Sequence, residues 1–228
     1  MSDPLEICGL LIDMDGVLLD TERLAEACWR KAEEETGFFM PEGYYFTLIG
    51  LALPLIEERL AGVMAPDCDI RAFLEVANRI YRNALEEERI PVKKGARSLL
   101  EYLHEHSIPA CLVTSTFCEL ADQKLDSAGF GHLLRERICG DQISRSKPEP
   151  DGYLAGSRRL GFRSRTLLAL EDSANGLMAA LAAGCRVAHI PDLAPVPVAL
   201  QTRVDRIYGG LEAFRAALQR GELVFRRS

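Results

Sequence analysis

Residues 9–21 read Gly9-Leu10-Leu11-Ile12-Asp13-Met14-Asp15-Gly16-Val17-Leu18-Leu19-Asp20-Thr21, an apolar run that ends abruptly in two acids and a glycine. Preceded by Ile7 and Cys8, the run has the length of a buried strand bounded by turn chemistry and is too short to span a membrane. Asp13 therefore stands where a strand leaves the core. Ligands of α/β sheets bind at the carboxyl ends of the strands, so an acid there is placed for chemistry as well as for capping. Asp15 follows two residues later, on the same side if the backbone stays extended. Gly16 lets the chain turn sharply away. Taken alone, Asp-x-Asp-Gly is common turn chemistry and carries no function.

The chain around this stretch has 228 residues, enough for one large α/β domain or a core domain with a smaller appendage. Hydrophobic residues make up 48% and charged residues 27%, the balance of an ordinary globular protein. The formal net charge of -7 argues against a general nucleic-acid partner, which needs a basic face. Seven cysteines (Cys8, Cys28, Cys68, Cys111, Cys118, Cys139 and Cys185) are scattered without a Cys-x-x-Cys pair. They read as small buried hydrophobes in a reducing compartment, neither disulfides nor zinc ligands. No basic segment followed by an apolar stretch and a small-residue cleavage site opens the chain, so the expected location is the cytoplasm.

After the opening strand the spacing predicts a helix over Glu22–Thr36, with Asp20 or Thr21 as N-cap and Gly37 closing it. A second helix is expected over Leu53–Met64. A third starts at Asp69, where Ile70, Phe73, Leu74, Ala77, Ile80, Tyr81, Ala84 and Leu85 recur at helical spacing. No strand signal interrupts residues 22 to 88, which reads as a helical insertion. From Ile90 onward helices alternate with short apolar strands: helix Ala96–Glu105, strand Ala110–Val113, a helix to Ala128, strand Arg137–Cys139, helix Tyr153–Leu160, strand Thr166–Leu170, helix Ser173–Ala183 and strand Arg186–Ile190. A short strand at 206–208 and a helix from Leu211 finish the pattern. Such alternation predicts βαβ units and a parallel sheet covered on both faces. The expected division is a Rossmann-like α/β core, residues 1–18 and 91–228, with a helical cap at 19–90.

Four polar signals then fall at the ends of four strands: Asp13 and Asp15, Thr114 to Thr116, Lys147 in the loop after the third strand, and Glu171-Asp172. In a parallel sheet these ends share one edge, so residues more than a hundred positions apart converge. Each has a dull explanation by itself, as a strand end, a solvated lysine or a helix N-cap; four coincidences are the poorer account. The set suits phosphoryl transfer. Asp13, Asp172 and Glu171 supply hard oxygen ligands of the kind that hold Mg²⁺. A carboxylate can attack phosphorus, and a second acid can move the proton. Lys147 and the Thr114 hydroxyl can stabilise the charge of the transferring group.

These residues make the chain resemble the haloacid dehalogenase superfamily, in the branch of β-phosphoglucomutase and small sugar-phosphate phosphatases. Asp13-Met14-Asp15-Gly16-Val17-Leu18-Leu19-Asp20-Thr21-Glu22 is similar to its first motif, Val113-Thr114-Ser115 to the second, Ser146-Lys147-Pro148-Glu149-Pro150 to the third and Leu170-Glu171-Asp172-Ser173 to the fourth. The resemblance implies Asp13 as nucleophile and Asp15 as general acid/base. It implies Thr114, Ser115 and Lys147 as phosphate-binding residues, and Mg²⁺ held by Asp13, Asp172, Glu171 and, through its carbonyl, Asp15. It also implies that the helical insertion is a cap that gates the site. An acid at Asp15 favours a phosphate ester over the substrates of the dehalogenases, which resemble this motif with an uncharged residue there. The mutases carry an arginine shortly after a cap glycine; Gly50-Leu51-Ala52-Leu53-Pro54 has none, although Arg59 lies nearby, and the second motif continues Thr116-Phe117-Cys118 without a nearby lysine. The expected protein is thus an Mg²⁺-dependent phosphatase for a small phosphorylated metabolite, a monomer or weak dimer without nucleic-acid or membrane partners. A phosphomutase and a non-catalytic metal- or phosphate-binding protein are the alternatives. Of the remaining features, His104 and His106 do not face one another on a helix, and His189 reads as a packed histidine. The Glu33-Glu34-Glu35 and Glu86-Glu87-Glu88 runs read as solvated helix ends. The aromatics from Phe38 to Phe46 read as a small cap core, and Arg226-Arg227 as a mobile tail.

Overall fold

A computed structural model describes residues 4–49, 51, 53–87 and 90–226. The apolar run that opens the chain divides into two strands, β1 (Leu5–Ile7) and β2 (Gly9–Ile12), with Cys8 between them. Every residue of β2 is buried. It lies inside a six-stranded parallel sheet with β3 (Ala110–Val113), β4 (Glu136–Ile138), β5 (Leu167–Glu171), β6 (Arg186–His189) and β7 (Arg206–Ile207), in the order β4-β3-β2-β5-β6-β7. Burial on both faces explains why β2 and β5 are continuous apolar runs without alternation.

Register sets the working edge. Ile12 pairs with Leu112 on one side and Leu170 on the other, and the Asp13 N–H donates to the Leu170 carbonyl at 3.1 Å. The carboxyl ends of β2, β3 and β5 therefore finish together. Beyond β2, residues 14–19 fold back on themselves: the N–H groups of Leu18 and Leu19 donate to the Met14 carbonyl, and the Gly16 N–H to that of Leu19. Met14, Val17, Leu18 and Leu19 are fully buried, so this loop is held by apolar packing as firmly as a strand.

The sheet unit also contains α4 (Ala96–Glu105), α5 (Cys118–Ser127), α6 (Asp151–Leu160), α7 (Ala174–Ala182), α8 (Val198–Gln201) and α9 (Leu211–Gln219). The described chain divides into two compact units, residues 1–19 with 92–228 and residues 20–91. The second unit is helical, with α1 (Thr21–Thr36), α2 (Leu53–Ala61) and α3 (Ile70–Glu87), which precede α4 in the chain. Its own core gathers Cys28 and Ala32 of α1, Leu60 of α2 and Phe73 and Ala77 of α3. Trp29 meets Phe73 and Tyr45 edge-to-face at centroid distances of 5.5 and 5.2 Å. Phe38, Met40 and Tyr44 pack against that core, whereas Phe39 is exposed.

Several local expectations change. Asp20 precedes α1 but makes no side-chain cap; its carboxylate instead accepts from Arg23 at 2.6 Å. Glu33 is buried rather than solvated, because its carboxylate accepts the Met40 N–H at 2.7 Å and anchors the chain leaving α1. Glu34 and Glu35 are exposed, as expected, and Glu35 pairs with Arg79 at 2.5 Å. The second helix ends at Ala61, before the expected Met64. Of the 86–88 acidic run, Glu88 lies outside the described residues, as do Gly50 and Ala52.

The strand most hidden in the sequence is β8 (Leu223–Phe225), which pairs in parallel with β1 as a separate two-stranded sheet. Arg226 is consequently tied down: its N–H donates to the Ile7 carbonyl at 2.8 Å and its guanidinium to Glu6 at 2.6 Å. Arg227 lies outside the described residues. Leu223 is 3% exposed. Truncating the chain after Gly221 should therefore lower the melting temperature by circular dichroism, since it strips the ladder from β1; an unchanged transition would show that β8 contributes nothing.

Candidate functional site

Four strand ends bring the acids, the hydroxyls and the lysine to one edge. Asp13 follows β2 and is 6% exposed; Glu171 ends β5 and is 0% exposed; Asp172 is next in the chain at 5%. Each offers a carboxylate oxygen, and these three atoms lie within 4.8 Å of one another. Lys147, from the loop between β4 and α6, reaches into the group. Its ammonium is hydrogen-bonded to Asp13, donates to Glu171 Oε1 at 2.5 Å and to the Val113 carbonyl at 3.1 Å. All three N–H donors of the ammonium are spent on the site.

Three carboxylates around one ammonium leave uncompensated negative charge in a desolvated place. Burial, outweighing the opposing pull of Lys147 and reinforced by Glu171 and Asp15, pushes the Asp13 carboxyl up to about 7. Burial, with Asp13 and Glu171 beside it, likewise holds Asp172 well above the usual carboxylate range. Burial works against the Lys147 charge, but Asp13 and Glu171 outweigh it and the ammonium is held more firmly than usual. Oxygen donors with excess negative charge are the donor set of a hard divalent cation, so the cluster fits one.

The carboxylates are unequally engaged. Glu171 Oε1 accepts from Lys147 and, at 2.5 Å, from the buried Tyr153 hydroxyl of α6. Its Oε2 accepts from the Ser173 hydroxyl at 3.2 Å. Ser173 also caps α7 by accepting the Gly176 N–H at 3.1 Å, so one side chain fixes both the helix start and the acid. A Cβ on Gly176 would lie 2.0 Å from the Glu171 carboxylate atoms, and a Cβ on Gly16 would lie 2.1 Å from Asp172 Oδ2. Gly16 also has φ +81°, which L side chains rarely adopt.

Asp15 has a different setting. Its Oδ2 accepts from the Thr116 hydroxyl at 2.9 Å and its Oδ1 from Lys124 at 2.7 Å. Lys124 lies on α5 with its side chain 6% exposed. A lysine therefore does serve the second motif, eight residues beyond Thr116, contrary to the expectation from Phe117 and Cys118. Its signal in the sequence was its place on the apolar stripe Ala121, Lys124, Leu125 of α5, where a charge needs a partner. Tyr153 carried no polar signal, because a helical tyrosine looks like core. Thr114 is buried, its hydroxyl accepting the Thr116 N–H at 3.0 Å, while Ser115 is exposed. His189, opposite Glu171 in the sheet, is buried, and burial lowers its proton affinity, in keeping with a packed core histidine.

Two outcomes follow for the apo protein. Because Asp13 titrates near 7 when folded and at 3.8 otherwise, the folded state holds its proton between those values, and that stability is lost as pH rises through 7. In EDTA at pH 8, Asp13→Asn should melt higher than the parent; a lower melting temperature would refute the excess-charge account. Gly176→Ala should cost about 1–3 kcal/mol by urea unfolding, since a methyl is forced against Glu171.

Residues 10–190 match the family model described as haloacid dehalogenase-like hydrolase. Hexitol phosphatase A of Escherichia coli is 30% identical over 211 residues, 92% of this chain and 94% of that protein. The phosphorylated carbohydrates phosphatase of Thermotoga maritima is 29% identical over 180 residues, 77% of this chain and 81% of that protein. A crystal structure of a HAD family hydrolase from Deinococcus radiodurans with bound phosphate and sodium superposes with a TM-score of 0.78 at 24% identity, covering 96% of this chain and 99% of that one. With its core motifs inside the matched residues and relatives aligned over most of their length, this chain belongs to the haloacid dehalogenase-like hydrolase family.

Proposed function

We propose that this protein is a phosphatase for a small phosphorylated metabolite of carbohydrate type, working through a phosphoryl group carried on Asp13. The observation that carries the proposal is the buried Asp13 carboxylate, paired with Lys147 and within 4.8 Å of the Glu171 and Asp172 oxygens, at the carboxyl edge of the sheet. The names of the relatives in Escherichia coli and Thermotoga maritima support the substrate class.

Asp13, with Asp172, would hold Mg²⁺ at this cluster, and the bound ion would neutralise charge on both the nucleophile and the phosphate. In the first step an Asp13 oxygen attacks phosphorus while the ester oxygen departs with a proton from Asp15. In the second, Asp15 takes a proton from water, whose oxygen attacks phosphorus and returns Asp13 as a carboxylate. Thr116 and Lys124, on the two oxygens of Asp15, position it for both transfers. Lys147 binds the phosphate oxygens in exchange for part of its contact with Asp13, and Thr114 offers its hydroxyl hydrogen. Glu171, engaged on both oxygens, orients Lys147. The helical unit, residues 20–91, is assigned the gating role of a cap. Arginine is missing from the stretch where a mutase would hold a second phosphate, which favours hydrolysis over transfer within a bisphosphate.

A panel of hexitol, hexose and pentose phosphates with p-nitrophenyl phosphate, scored by phosphate release, tests the proposal. Release should require Mg²⁺, stop in EDTA and fall by at least about 10⁴-fold in Asp13→Asn, in keeping with loss of a nucleophile. Turnover by Asp13→Asn at the parental rate would remove the nucleophile, and turnover indifferent to EDTA would remove the metal.

A further inference from the structure

Beside the loop that carries Thr116 lies a second donor cluster, built from sulfur as well as oxygen. Cys118 is the first residue of α5, Cys139 follows β4, and Asp141 sits in the single 3₁₀ turn Gly140–Gln142. Their Sγ, Sγ and carboxylate oxygen all lie within 4.8 Å of one another. Cys139 is buried, Cys118 half-buried and Asp141 exposed, so the cluster opens to solvent on one side. Its parts are held in place. The Cys118 N–H donates to Asp141 Oδ1 at 2.9 Å, the Cys139 N–H to Gln142 Oε1 at 3.0 Å, and the Cys139 sulfur accepts the Gln142 N–H. These contacts orient two thiols and a carboxylate on adjoining loops without any disulfide between them.

We propose that Cys118, Cys139 and Asp141 form a second metal site, for a thiophilic divalent ion of the Zn²⁺ class, distinct from the all-oxygen cluster at Asp13. Two sulfurs and one oxygen match the softness of such an ion and not that of Mg²⁺. Donors around a tetrahedral zinc-type ion, with bonds of about 2.0–2.3 Å, stand roughly 3.5–4 Å apart. The observed spread, within 4.8 Å, closes to that spacing by small side-chain movements, and the exposed side leaves the fourth position to water. Free thiols, with an ordinary pKa of about 8.5, carry their protons at neutral pH. Binding therefore forms two metal–thiolate bonds and releases two protons to solvent for each ion, with no change in oxidation state. The site adjoins the catalytic edge: the Gly140 N–H donates to the Thr116 carbonyl at 2.9 Å, and Thr116 and Lys124 of α5 hold Asp15. An ion there ties the start of α5 to the turn after β4, next to Thr116.

The test is a titration of the full, reduced protein with Cd²⁺ and with Co²⁺, followed by thiolate-to-metal charge-transfer absorption and, in weak buffer, by proton release. The parent's band should saturate at one ion per chain, with two more protons released than from the double variant below, and excess Mg²⁺ should leave the absorption unchanged. The double variant Cys118→Ser/Cys139→Ser should lose the band, although five other cysteines remain. Asp141→Asn keeps an acceptor for the Cys118 N–H and should bind at least about tenfold more weakly. Absence of the band in the parent, or its persistence in the folded double variant, overturns the site. If the double variant does not fold, parental affinity in Asp141→Asn overturns the three-donor assignment.

Discussion

Lys147 buries a single positive charge among three carboxylates at the end of a parallel sheet, and much of the core is arranged to make that tolerable. A desolvated ion pair is costly to form and more costly to break, because removal of one partner strands the other. Here the ammonium spends its three hydrogens on Asp13, Glu171 and the Val113 carbonyl, which ties β2, β3 and β5 together at their carboxyl ends. The residual negative charge remains, and it raises Asp13 and Asp172 well above ordinary acids. Such crowding is a stability liability, and it is the electrostatic setting that a bound cation would relieve.

Glycine and tyrosine make the arrangement geometrically possible. Glu171 can sit against the first turn of α7 because Gly176 has no side chain, and it is fixed there by Tyr153 below and Ser173 above. Asp172 can approach the turn after β2 only because residue 16 is glycine. In both places backbone and carboxylate approach so closely that a methyl group has no room, and the position of the acid is set by packing.

Asp15 shows a second way of holding a carboxylate. It leans on Thr116 and on a lysine delivered by α5, within the same loop system that places Cys118 and Cys139. Two acids separated by one residue thus face different electrostatic surroundings: one crowded by like charge, the other held by a hydroxyl and a cation. The division matches the two roles proposed for them, attack on phosphorus and movement of a proton.

The apolar runs at Leu10–Ile12, Ala110–Val113 and Leu167–Leu170, and the polar residues following them, were legible because burial and strand ends leave their mark on neighbouring residues. The helices of the 20–91 unit were legible for the same reason, through a 3.6-residue rhythm. The strand Leu223–Phe225 was not, because three residues carry too little periodicity and their meaning lies in the pairing with Leu5–Ile7, some 218 positions away. Nor was the burial of Glu33, decided by the Met40 N–H beyond the end of its helix, or the anchoring of Arg226, decided by Ile7 and Glu6 at the other end of the chain. Lys124 and Tyr153 belong to the same class: their partners, Asp15 and Glu171, lie on other elements, and only the packing of α5 and α6 against the sheet brings them together. The sequence by itself determined which residues meet at the edge of the sheet, since strand direction puts every strand end on one side. Tertiary structure alone decided which carboxylate is crowded, which is held by a cation and which is saturated with hydrogen bonds, because those properties depend on contacts of about 3 Å between residues that no local pattern links.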